Sequence, residues 1–131
     1  MDFAPEELEA KIQRAKEFMK AAEDSLKKEM FFTAASRAYY ALFNLLIALL
    51  LVKGLRLPRT HSGLLAVLWN NREILELGKE EIMIVQRLLE LREEGDYGFS
   101  LIIDKNEVSE LVSKAREIFE KVVKVVEGYK A

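Results

Sequence analysis

The 131-residue sequence predicts an all-α fold, an up-and-down bundle of about five helices in one domain spanning residues 1–131. Three observations carry that expectation. Apolar residues recur at spacings of three and four through long stretches at both ends of the chain. No stretch alternates apolar and polar residues for long enough to argue a strand. Residues 38–52, AYYALFNLLIALLLV, hold Asn44 as their one strongly polar side chain. They form a helix apolar nearly all round, which other helices must cover.

The first helix is expected over residues 5–28. Pro5 suits a first helical turn, and Glu6 and Glu7 complement the positive end of the helix. Leu8, Ile12, Ala15, Met19, Ala22 and Leu26 then fall on one stripe. The second helix runs over 31–53, and Gly54 is a natural residue to close it. Pro58 blocks helix in the connection GLRLPRT at 54–60. Thr60 caps a third helix reaching near residue 75. Gly78 separates it from a fourth over 79–94, with Ile82, Val85 and Leu89 inward. Gly95 breaks regular geometry and opens a loop over 95–103. Asp104, with Glu107 three residues on, resembles a capping box for the last helix. That helix carries Val108, Leu111, Ala115, Ile118, Val122, Val125 and Tyr129 at spacings of three and four.

The apolar surface of the second helix exceeds what the rest of so short a chain can hide. The expectation is therefore a homodimer through helix 31–53. Lys plus Arg number 20 and Asp plus Glu 22, so overall charge demands no nucleic-acid partner. The absence of cysteine excludes disulfides and thiolate metal sites and points to the cytoplasm. The acidic start MDFAPEELEA is not a signal peptide. The apolar run falls short of the ~20 residues of a membrane span, so no membrane partner is expected. With one His and no Cys, neither a transition-metal site nor a cofactor is expected. Abundant Glu and Lys beside two Gln lean toward a thermophilic source.

Four segments occur in a telling order: S-R-A-Y-Y-A-L-F at 36–43, K-G at 53–54, T-H-S-G at 60–63 and R-E-E-G-D-Y at 92–97. Together they resemble the HEPN domain, and most of all its small stand-alone prokaryotic members. The resemblance implies a helical bundle that usually dimerises. It also implies a minimal nucleotidyltransferase as partner, within a toxin–antitoxin or defence system, and a cleft for RNA or nucleotide. Many members are metal-independent ribonucleases, marked by an Arg followed after four to six residues by a His near the end of a late helix. In this chain Arg92 stands where that Arg is expected, and Tyr97 stands where the His is expected. With an ordinary pKa near ~10, Tyr is a poor base at neutral pH. The single His, His61, follows Arg56 at the same spacing but in a different segment.

Each candidate residue has two readings. Ser36, Tyr40 and Asn44 form an i, i+4, i+8 row beside Arg37. They make either a polar floor for phosphate, with Arg37 gripping it, or hydrogen bonds that fix helix register. Arg92 and Asp96 either pair across the helix end or leave Arg92 to bind a phosphodiester. His61 is either a local loop residue or a general acid or base. Lys53, Arg56 and Arg59 add positive charge beside it or form a solvated loop. Trp69 reads as core rather than a base-stacking platform, and Phe31 and Phe32 as core or interface. The leading reading is a dimeric module that binds RNA, nucleotide or a nucleotidyltransferase. The rivals are a metal-independent ribonuclease using Arg92 with Tyr97 or His61, and a non-catalytic scaffold.

Overall fold

The computed structural model describes residues 4–97 and 103–129, which form six helices and no strand. In chain order these are α1 (Pro5–Lys27), α2 (Phe31–Val52), α3 (His61–Asn70), α4 (Arg72–Leu75), α5 (Lys79–Tyr97) and α6 (Lys105–Gly128). The all-α expectation holds.

The α1–α2 turn is tight. Glu29 adopts a left-handed φ of 58°, and the Met30 N–H donates to the Ser25 carbonyl at 2.9 Å. The chain thereby reverses and α2 packs along α1, burying Leu8, Ile12, Ala15, Met19 and Ala22. Those are five of the six stripe residues read from the sequence. Helices α5 and α6 close the other sides of α2.

The expectation that one chain leaves the apolar surface of α2 uncovered is not met. All residues from Asn44 to Leu50 are buried, and none of the large hydrophobic side chains exposed on the surface lies on α2. Among the described residues those side chains are Met30, Leu57, Ile74, Met83 and Tyr129. Among the described residues α2 is also the one helix long and apolar enough to cross a membrane, its 22 residues exceeding the run read from the sequence. Most of it is enclosed by the bundle, and a buried core helix meets the same length and composition test.

Three local expectations change. The third helix is two, because α3 ends at Asn70 and is closed by Asn71, whose side-chain amide donates to the Val67 carbonyl at 2.8 Å. One short turn, α4, follows and is closed after Leu75 by Glu76 in a left-handed conformation. Gly95 does not end α5, which continues helical through Tyr97. Of the loop expected at 95–103, residues 98–102 lie outside the described residues. At α6 the cap is real: Asp104 Oδ1 accepts from the N–H groups of Asn106 and Glu107 at 2.9 and 3.1 Å. The Glu107 carboxylate does not complete a capping box. It takes a two-pronged hydrogen bond from Arg87 of α5, at 2.9 and 3.0 Å. A similar fork joins Arg116 of α6 to Glu23 of α1. Arginine forks thus tie α6 to both of its flanking helices.

Candidate functional site

Helix periodicity puts Thr33, Ser36, Arg37 and Tyr40 of α2 on one face. The last turns of α5 run beside the start of that face. The approach is close at Gly95, where an added Cβ would stand 3.2 Å from Phe32 Cδ1. One turn earlier, Arg92 reaches the same space. Phe32, Thr33, Ser36, Arg37, Arg92 and Gly95 line a cleft of about 280 Å³. Two guanidinium groups and two hydroxyls therefore share one small volume.

Arg92 also lies against aromatic faces. Its guanidinium carbon is 5.3 Å from the Tyr40 ring centre and 5.9 Å from that of Tyr39. This geometry is favourable for a cation over a π-system. Tyr40 is backed by Phe18 of α1 at 5.5 Å, which fixes the plane on which Arg92 rests.

Behind Arg92 sits a polar pair inside an apolar wall. Tyr39 is fully buried, and its Oη lies 2.7 Å from His61 Nδ1. His61 is the first residue of α3, and the T-H-S-G segment explains how it is held. Thr60 Oγ1 caps α3 by accepting the Gly63 N–H at 2.9 Å. A Cβ on Gly63 would stand 2.9 Å from that same oxygen, so the close cap requires glycine there. The imidazole lies 4.7 Å from the Phe43 ring, 5.4 Å from Tyr39 and 6.2 Å from Tyr40.

Burial lowers the His61 pKa from its ordinary value; the positive charge of Arg92 lowers it further, against a smaller opposing effect of Glu93. Burial pushes the Tyr39 hydroxyl well above the usual tyrosine range, outweighing the pull of Arg92. At neutral pH the pair is a neutral imidazole beside a protonated phenol.

The structure brings together Ser36, Arg37 and Arg92 in the cleft, with Tyr40 beneath Arg92. His61 makes a bond to a residue 22 positions away, not a local one, and shares Tyr39 and Tyr40 with Arg92. Arg56, its partner by sequence spacing, is exposed on the connecting loop, as is Arg59. The Lys53 ammonium instead covers the Tyr129 ring at 5.7 Å. Asn44 is buried at 8 % exposure, and its amide donates to the Tyr40 carbonyl at 2.8 Å. The polar row therefore starts in the cleft and ends in the core, with its last bond inside α2. Asp96 and Tyr97 form the end of α5, and their side chains lie outside the described residues.

Sequence reasoning missed Tyr39 and Thr33. Tyr39 read as part of the apolar run, yet a hydroxyl inside an apolar wall must find a partner. The chain's only His, at the start of the next long helix, was the signal. A larger groove of about 710 Å³ lies along Pro5, Glu6, Leu8, Glu9, Gln13 and Tyr129. Its carboxylates disfavour an anion, whereas the cleft at Arg92 carries two guanidinium groups.

The family model described as the HEPN domain matches residues 8–126. A UPF0332 protein of Thermotoga maritima is 37 % identical over 121 residues, covering 90 % of this chain and 89 % of that protein. A UPF0332 protein of Archaeoglobus fulgidus is 33 % identical over 114 residues, 87 % of this chain and 90 % of that one. The protein of Methanocaldococcus jannaschii named "Putative toxin MJ0142" is 30 % identical over 121 residues, 90 % of this chain and 80 % of that one.

Proposed function

This chain belongs to the HEPN domain family, and on that basis we propose that it is a toxin-type module that binds RNA through phosphate in the cleft between α2 and α5. The observation that carries this reading is the meeting of Arg37 and Arg92 with the Thr33 and Ser36 hydroxyls around one small cleft. A planar guanidinium matches phosphate oxygens two at a time, and hydroxyls satisfy the rest. The toxin name of a relative aligned over most of this chain supports the toxin assignment.

The partner on this reading is a minimal nucleotidyltransferase, and both proteins act in the cytoplasm. The homodimer uses the outer edge of α2, where Phe31, Phe32 and Arg37 reach the surface, rather than its covered interior. That edge borders the cleft, so a second copy sets its own cleft nearby.

The test is fluorescence anisotropy with a short single-stranded RNA across a salt series. Binding is expected to weaken about tenfold in Arg92→Ala and in Arg37→Ala, the range of one charge-assisted hydrogen bond. Each change should also flatten the salt dependence by about one counterion. Affinity unchanged in both variants refutes the reading.

A second reading, a metal-independent ribonuclease, draws on the packing of His61 and Arg92 against the same two tyrosines. It requires a base for the 2′-hydroxyl and an acid for the leaving oxygen. Cleavage in the presence of a chelator that disappears in both Arg92→Ala and His61→Ala would establish it. The two readings divide on which nitrogen of His61 carries the proton.

A further inference from the structure

We infer that Tyr39 is a positioning residue: it donates its phenolic proton to His61 Nδ1 and fixes the imidazole as the neutral tautomer with hydrogen on Nε2. His61 is then a hydrogen-bond donor toward phosphate and not a base. The choice of phosphate as the recipient rests on the RNA-binding reading above; the tautomer does not.

The direction of the Tyr39–His61 bond follows from accounting for donors. Tyr39 is fully buried, and among the described residues His61 Nδ1 is the hydrogen-bond partner of its hydroxyl. The phenol has one proton to give and must place it or leave it unpaired in the core, which is costly. Nδ1 can take that proton only through its lone pair. A neutral imidazole has one N–H, so with Nδ1 accepting, the hydrogen sits on Nε2.

The surroundings keep the ring in that form. Tyr39 and Tyr40 face it from α2, Arg92 and Glu93 act on it from α5, and Thr60 and Ser62 flank it on its own segment. Phe43 covers the ring at 4.7 Å. A second positive charge beside Arg92 is disfavoured in this half-buried place. The Nε2–H edge points away from the Tyr39 bond, because the two nitrogens sit on different edges of the ring. It offers a neutral donor on a ring that shares Tyr39 and Tyr40 with the guanidinium of Arg92, a pairing of donor and cation suited to an anion. Accepting a proton from a 2′-hydroxyl would require the lone pair that Nε2 lacks in this tautomer.

The experiment is a two-bond proton–nitrogen correlation spectrum of the full chain labelled with 15N-histidine. With a single His in the sequence, the spectrum reports His61 alone. At neutral pH the expected pattern is a protonated Nε2 and an acceptor Nδ1. In Tyr39→Phe, which keeps the ring and removes only the hydroxyl, the two nitrogen shifts should move toward each other as both tautomers populate. A protonated Nδ1 in the native chain, or shifts unaltered in Tyr39→Phe, overturns the inference. Short RNA added to the native chain should shift the Nε2 resonance. If the tautomer is as expected but RNA leaves Nε2 unmoved, the positioning role stands and the phosphate reading fails.

Discussion

Thr60 Oγ1 and the backbone of Gly63 are so close that no Cβ fits between them: an added Cβ at Gly63 would lie 2.9 Å from the hydroxyl that caps α3. The expected result is a conditional effect. Gly63→Ala should destabilise the native chain by about 1 kcal/mol by displacing the cap. In a Thr60→Ala background the same change should be neutral or stabilising, because alanine favours helix and the obstacle is gone. Thermal melts of the four proteins in this cycle decide it. Additive losses would mean that the cap and the glycine are independent.

Arg87 and Glu107 should lock α5 to α6 in a pH-dependent way. The Arg87 hydrogen bonds, and then its charge, hold the Glu107 carboxyl below its ordinary 4.5. A depressed carboxylate stabilises the fold fully above 4.5, and the contribution fades as pH falls through the lower folded value. The pair is about a third exposed, so Glu107→Gln should cost only roughly 0.5–1 kcal/mol at neutral pH. Melting curves of the two proteins should converge in acid. A constant gap across the carboxylate range contradicts the pairing.

His61 should shape the stability profile at a higher pH. Its folded pKa lies below the ordinary 6.5, so between those two values the unfolded chain binds more protons than the folded one. Stability should therefore rise with pH through that window and level off above 6.5. Denaturant midpoints should show this slope in the native chain and lose it in His61→Gln. A slope of opposite sign would mean that the imidazole is charged in the folded protein.

Gly95 should govern access to the cleft more than stability. Gly95→Ala gains helix propensity of up to ~1 kcal/mol. Against that, its Cβ crowds Phe32 at 3.2 Å, and the two effects should nearly cancel in a melt. Gly95→Leu places a larger side chain on the cleft lining, and RNA affinity should fall by about tenfold or more with the melting temperature nearly kept. Unchanged affinity would place the binding surface elsewhere.

The helices were legible because their signals are local. Pro5, Thr60 and Asp104 marked starts, Gly54 marked an end, and the three-and-four stripes named most of the core of α1 and α6. The errors came from competition that local signals do not record. Gly95 looked like a breaker, but its place beside Phe32 makes it a spacer within α5. Glu107 looked like half of a capping box, but Arg87, 20 residues away, claims its carboxylate. The arginines and Ser36 of the cleft were readable from their segments. The Tyr39–His61 bond was not, since it depends on how α3 returns against α2.

The enclosure of α2 by later parts of the chain has a consequence for synthesis. The helix is complete at Val52, while α6 ends at Gly128. At about 5–20 residues per second, a ribosome needs several seconds to make the intervening stretch. Until α5 is made α2 packs chiefly against α1, and to the translation machinery a long greasy helix near the N-terminus resembles an anchor awaiting a bilayer. The nascent chain should therefore depend on chaperones that hold such segments in water. Pausing before α5 and α6 emerge should raise the share that is misrouted or aggregates.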